Sequence, residues 1–113
     1  MNLDTVFNKE SINARAKDNW NYKNKESRLK CGNKYRHIFS DNKIKITDWS
    51  ETFERLTKFQ QNILIKGELI RTYDALPNID KTEIKNKFGL STFSTKWYKL
   101  PSSDRKILLK FVI

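Results

Sequence analysis

From Asp48 onward the apolar positions recur at helical spacing. Trp49, Phe53 and Leu56 fall four and then three apart, which predicts one face of a first helix, and Asp48 followed by Glu51 resembles its capping box. Thr57 followed by Gln60 is a second such box. It opens a longer helix from Lys58 to about Tyr73 that carries Ile63, Leu64, Leu69, Ile70 and Tyr73. Gly67 lies inside this helix at a cost of about 1 kcal/mol relative to alanine, so close packing is expected there. Leu76-Pro77-Asn78 ends it, because proline neither donates to the helical ladder nor lets the preceding residue stay helical. A final helix is predicted from about Ser103 to Phe111, separated by Pro101 from what precedes it. Leu108, Leu109, Phe111 and Val112 make it apolar enough to be buried or to meet a partner. A weak echo links two of these regions. Laying Phe53 on Trp97 places Leu56 on Leu100, Ile63 on Ile107, Leu64 on Leu108 and Lys66 on Lys110, so that an aromatic-bearing helix end, a cap and an apolar helix recur.

Between these helices lies the stretch on which a functional reading turns, DKTEIKNKFGLSTFSTKWYKL, from Asp80 to Leu100. Asp80 is placed to cap a helix over Lys81 to Lys87, with Ile84 and Phe88 on one face. Gly89 closes that helix through a positive φ, and Leu90 plugs the corner. Ser91 then caps a second helix in which Phe93, Trp97 and Leu100 form a buried stripe. Ser91 itself, with Thr92, Ser94, Thr95, Lys96 and Lys99, is left as a face of hydroxyls and cations, groups that contact phosphates and base edges.

This order of apolar residue, Gly, apolar residue, Ser and aromatic-anchored helix resembles the helix-turn-helix segments of bacterial and phage DNA-binding proteins, over about a fifth of the chain. Lys85 departs from that pattern, standing where the family carries a small residue at the helix crossing. The resemblance implies a reading helix, Ser91 to Lys99, in the major groove, supported by a three-helix arrangement.

Residues 1–47 differ in texture, being rich in Asn and Lys with sparse apolar positions. Leu3, Val6 and Phe7 predict a short helix running to about Lys17. Beyond it, Lys23, Lys25, Arg28, Lys30, Lys34 and Arg36 are opposed only by Glu26, and Trp20, Tyr22 and Tyr35 are interleaved with them. Cations that track phosphates and rings that stack on bases suit a nucleic-acid strand. Cys31-Gly32-Asn33 is predicted to be a turn, and Lys43 to Ile46 alternates like a short strand or an extended link. The expected organisation is an all-α fold of four to five helices, with a basic, partly extended N-terminal arm over 1–47 and a helical domain over 48–113.

Composition sharpens the functional reading. In 113 residues the formal net charge is +10, which favours a polyanionic partner. One cysteine, Cys31, excludes an internal disulfide, and with the one histidine, His37, it does not make a conventional structural zinc site. No metal or other cofactor is therefore expected, nor a small-molecule substrate. The phosphate-cradling loop, the HExxH motif, the nucleophile elbow and the CxxC pair are all missing, so no catalytic residue is assigned and an enzyme is not expected. No apolar run reaches bilayer length, and the first residues lack the apolar core of a secretion signal, so no membrane partner is expected. The expected location is the cytoplasm, associated with the nucleoid or in the host cytoplasm if virus-encoded. The leading expectation is a small basic protein that binds duplex DNA, in preference to RNA, through the helix-turn-helix-like segment and the arm. The alternatives are a phage- or mobile-element-type small subunit or inhibitor that docks on a larger nucleic-acid machine, and a structural protein of an RNA-protein particle.

Overall fold

The computed structural model describes residues 3–39 and 49–113, with residues 33–39 described by their backbone alone. The described residues form six α-helices and two single 3-10 turns, with no strand among them. The helices are α1 (Leu3–Val6), α2 (Lys9–Tyr22), α3 (Lys25–Phe39), α4 (Lys58–Ala75), α5 (Asn78–Phe88) and α6 (Ser102–Val112). The all-α expectation holds. The predicted strand-like alternation at 43–46 and the Asp48 cap lie outside the described residues.

The central element is α4. Thr57 accepts from the Gln60 N–H and the Gln60 side chain accepts from the Thr57 N–H, so both orphan donors of the first turn are satisfied as the capping box predicts. Ile63, Leu64, Ile65, Leu69 and Tyr73 are buried along it, and so are Gln60, Gly67, Glu68 and Thr72, which makes α4 buried on most of its circumference. Its chief partner is α2, whose Ile12, Ala16 and Trp20 recur every four residues as a buried stripe. The region expected to be a partly extended arm is thus helical over most of its described part, and the predicted short helix is broken at Phe7 and Asn8 into α1 and α2, of which α2 runs on to Tyr22. The stripe at Ile12, Ala16 and Trp20 carries enough apolar area to make α2 a core element. Phe7, Phe88 and Phe111 meet with ring centroids 4.7–6.0 Å apart and join the end of α1 to α5 and α6.

Four local predictions fail for identifiable reasons. Asp80 does not cap its helix, because α5 starts directly after Pro77, whose fixed φ suits a helix start, and Asp80 lies inside the first turn. Cys31, Gly32 and Asn33 lie inside α3 and do not form a turn. Gly32 is there because Trp49 packs onto it: a Cβ at Gly32 would stand 2.1 Å from Trp49 Cγ. Gly32→Ala is therefore expected to destabilise the protein by about 1–3 kcal/mol of overpacking, more than the roughly 1 kcal/mol that alanine gains in helix propensity. A chemical denaturation curve checks this, and a stabilised variant would contradict the packing of Trp49 on α3. The helix predicted over Asp48 to Leu56 is reduced to the 3-10 turn Phe53–Arg55, and the second helix predicted from Ser91 does not form. After Gly89 the chain runs irregularly to a second 3-10 turn, Trp97–Lys99, and then to Pro101 and α6. Ser and Thr fill four of the five positions 91–95, and these side chains and N–H groups bond elsewhere in preference to continuing a helix.

The sequence echo has a structural counterpart. Phe53 and Trp97 each open a 3-10 turn, Leu56 and Leu100 each close it in extended conformation, and α4 and α6 start two residues later in both cases.

Candidate nucleic-acid interface

The loop of residues 89–101 joins α5 to α6. It begins where α5 stops at Gly89, whose φ of 66° is the left-handed conformation that glycine adopts without penalty, and the Leu90 N–H returns to Lys85 O at 2.9 Å. Leu90, Trp97 and Leu100 plug into the core, with the Trp97 ring set edge-on to Tyr73. Here the predicted C-cap and two of the three predicted stripe residues are in place, though no helix carries them.

Four side chains of the body then hold the loop. Asp104, only 2% exposed in the first turn of α6, accepts from the Ser91 N–H at 3.0 Å, from the Ser91 hydroxyl at 3.0–3.1 Å and from the Thr92 N–H at 3.2 Å. The Ser91 backbone N–H, seconded by the Ser91 hydroxyl, the Thr92 N–H and the charge of Lys85, holds the Asp104 carboxyl below the ordinary aspartate value despite its burial. The Tyr73 hydroxyl donates to Ser94 O at 2.7 Å, and burial together with the charges of Asp74 and Asp104 raises the pKa of that phenol. Lys81, buried in α5, donates to Thr95 O at 2.6 Å, and Asp74 accepts from the Trp97 N–H at 2.8 Å. The Ser94 hydroxyl donates to Lys96 O at 2.8 Å. These bonds give the loop a fixed shape, because the Ser91, Thr92 and Trp97 N–H groups and the Ser94 and Thr95 carbonyls are each bonded by a side chain of the body.

The six loop residues singled out from the sequence consequently divide. Ser94 is buried and Ser91 is engaged by Asp104, while Thr92, Thr95, Lys96 and Lys99 are exposed. Two aromatics join them. Phe93, expected in the buried stripe, is 40% exposed, and Tyr98, which the sequence reading did not single out, is 70% exposed with Lys99 Nζ 5.9 Å from its ring centre. From Ile84 to Ser103 the chain holds Lys85, Lys87, Lys96 and Lys99 and no carboxylate. Among the described residues neither Lys96 nor Lys99 forms an ion pair, and Asp74 and Asp104, the carboxylates bonded to the loop, are both engaged by its backbone N–H groups. No sequence signal singled out Tyr98, whose exposure follows from the 3-10 turn that buries its neighbour Trp97.

The N-terminal candidates are arranged differently. Arg28 donates to the carbonyls of Trp20, Asn21 and Ser50 at 3.1–3.3 Å and so ties α2 and α3 to the segment after residue 48. Lys30 pairs with Glu26 at 3.6 Å, Lys25 is exposed in the first turn of α3, and Lys23 is half-buried just past the end of α2. The side chains of Lys34, Arg36, Tyr35 and His37 lie outside the described residues. Trp20 is buried, its indole N–H donating to Glu51 O at 2.9 Å, while Tyr22 stays exposed. Lys17 and Asn21 both reach Glu54, so this end of the molecule mixes its charges. The exposed loop residues share the one connection between α5 and α6, and no described contact joins the N-terminal cations to it.

Elsewhere, a pocket of about 770 Å3 opens beside the C-terminal end of α4. Val6, Ala75, Leu76 and Pro77 give it apolar walls, and Arg15, Glu68 and Arg71 stand along one side. Among the described residues no group of three or more His, Cys, Asp or Glu side chains is placed to hold a metal ion, and no helix is long and apolar enough to cross a membrane.

Fold and surface together define a small all-α protein that presents a pinned, lysine-bearing loop between its last two helices. The chain matches no family model, no curated protein and no solved structure.

Proposed function

We propose that the protein is a non-enzymatic, cytoplasmic nucleic-acid-binding protein whose contact surface is the loop from Ser91 to Lys99, with DNA as the first partner to test. The observation that carries this reading is the pair Lys96 and Lys99, exposed and without an ion pair among the described residues on a stretch free of carboxylates. Cations so placed neutralise phosphates and release counterions, the dominant source of affinity for nucleic acid. Thr92 and Thr95 add hydroxyl donors beside them. A reading helix in the major groove is not part of this proposal, since the segment expected to form one is irregular.

Binding is expected to fall steeply with salt. Lys96→Ala and Lys99→Ala are each expected to reduce the slope of log affinity against log salt by about 0.9 on duplex or about 0.7 on a single strand. Neither change should shift the melting temperature, because both side chains project into solvent. Unchanged affinity and slope in the double variant would remove the loop from the interface.

A second reading, docking on a larger nucleic-acid machine, is favoured by the pocket, whose Val6, Ala75, Leu76 and Pro77 walls fit an apolar side chain of a protein partner. Leu108 and Val112 of α6 are fully buried in the core, whereas Ile107 and Ile113 stay 40% and 41% exposed. Co-purification of a stoichiometric protein that resists nuclease and is lost in Ala75→Arg would favour this second reading.

A further inference from the structure

We infer that the polynucleotide bound by the loop is single-stranded, with a base stacked on Tyr98 and its phosphates at Lys96 and Lys99; this rests on the reading of the loop as the nucleic-acid contact. Two features of the surface carry the inference. The first is its shape. The major groove of a duplex admits a helix or a two-stranded ribbon, whereas residues 89–101 are an irregular connection with one 3-10 turn. Its bonds to Asp104, Tyr73, Lys81 and Asp74 keep it in that form.

The second is its chemistry. The Tyr98 ring is 70% exposed, and the residue is flanked in sequence by the buried Trp97 and by Lys99, whose Nζ lies 5.9 Å from the ring centre. Phe93 is also partly open on the same loop. Rings alternating with cations match the repeat of a single strand, in which unpaired bases offer their faces and phosphates follow at each step. A duplex hides those base faces, so Tyr98 would meet only its backbone.

The test uses the full chain with oligothymidylate, oligouridylate and a DNA duplex of equal length, each titrated over a range of salt. The expected result is tighter binding of the single strands than of the duplex at every salt concentration. Tyr98→Ala should weaken single-strand binding about tenfold with the salt slope unchanged, since stacking releases no counterions. Tyr98→Phe, which keeps the ring, should bind as the parent does. Equal melting temperatures for the three proteins would show that the loss is not one of folding. If the duplex binds as well as the single strands, or Tyr98→Ala changes nothing while the Lys96 and Lys99 variants still lower the slope, the inference is overturned and the reading of the loop survives. Failure to bind any of the three probes overturns both. Preference between thymidylate and uridylate then identifies which kind of strand the site takes.

Discussion

Asp104→Ala is expected to destabilise the protein by about 3–4 kcal/mol, the largest effect of any single polar substitution in the loop region. The carboxylate receives two backbone N–H groups and a hydroxyl, and a hydrogen bond to a charged group contributes about 1.5–3 kcal/mol. The contributions are not additive, because Ser91 alone supplies two of the three donors. Asp104→Asn keeps the shape and one acceptor oxygen, so a loss of about half that size is expected. The pH dependence has a definite sign. The folded protein holds this carboxyl below its ordinary value of 3.8. Its contribution is therefore complete above the unfolded value and is lost as the pH falls through the lower folded one. Denaturant midpoints measured from neutral pH down to strong acid should fall less steeply in Asp104→Asn than in the parent, and identical acid limbs would show that Asp104 does not hold the loop. On the proposed function the alanine variant should also bind nucleic acid more weakly while still folded, because an unlatched loop must be ordered again on binding.

The limits of the sequence reading fall at the same place as this latch. Thr57 with Gln60, Gly89 and Pro77 mark element ends by local chemistry, and the structure places α4 and α5 within a few residues of those marks. The segment after Ser91 was legible in its anchors but not in its form, since Phe93, Trp97 and Leu100 fit a helical stripe while the bonds that forbid the helix come from Asp104, Asp74 and Tyr73, distant in sequence. Spacing reports which residues share a face only if the helix exists. The run of Ser and Thr was the local evidence against it. Gly32 shows the complementary failure, in which a residue that often marks a turn serves a close approach within a helix. The partner ring, Trp49, is seventeen positions away, and nothing near Gly32 announces it. The candidate surface was therefore half legible: Lys96 and Lys99 stood out as cations, whereas the outward direction of Tyr98 depends on a turn that only tertiary bonds create.

Glu68→Ala is expected to cost about 2–4 kcal/mol without the accompanying loss of affinity. Glu68, 6% exposed on α4, accepts from Arg15 Nε and Asn19 Nδ2 at 3.3 Å and from Arg71, so it ties α2 to α4 across the most extensive contact of the fold. Removing one partner of a buried ion pair leaves the other uncompensated, typically at 3–5 kcal/mol. The lower figure applies here because Arg15 and Arg71 both reach solvent, and Arg15 keeps its bonds to Val6 O at 2.8 Å and Thr72 Oγ1 at 3.2 Å. Replacing both charges, as Arg15→Leu with Glu68→Leu, should recover at least half of the loss, since apolar side chains of similar volume repack where an unpaired charge does not. A double-mutant cycle in urea measures the coupling directly, with about 1–2 kcal/mol expected between Arg15 and Glu68. Independent effects of the two substitutions would reduce the pair to a surface contact. The contrast with Asp104 separates the two kinds of role. Both carboxylates hold the fold together, but only Asp104 touches the loop, so loss of nucleic-acid affinity in folded Glu68→Ala equal to that in folded Asp104→Ala would mean that affinity follows global stability and not the shape of the loop.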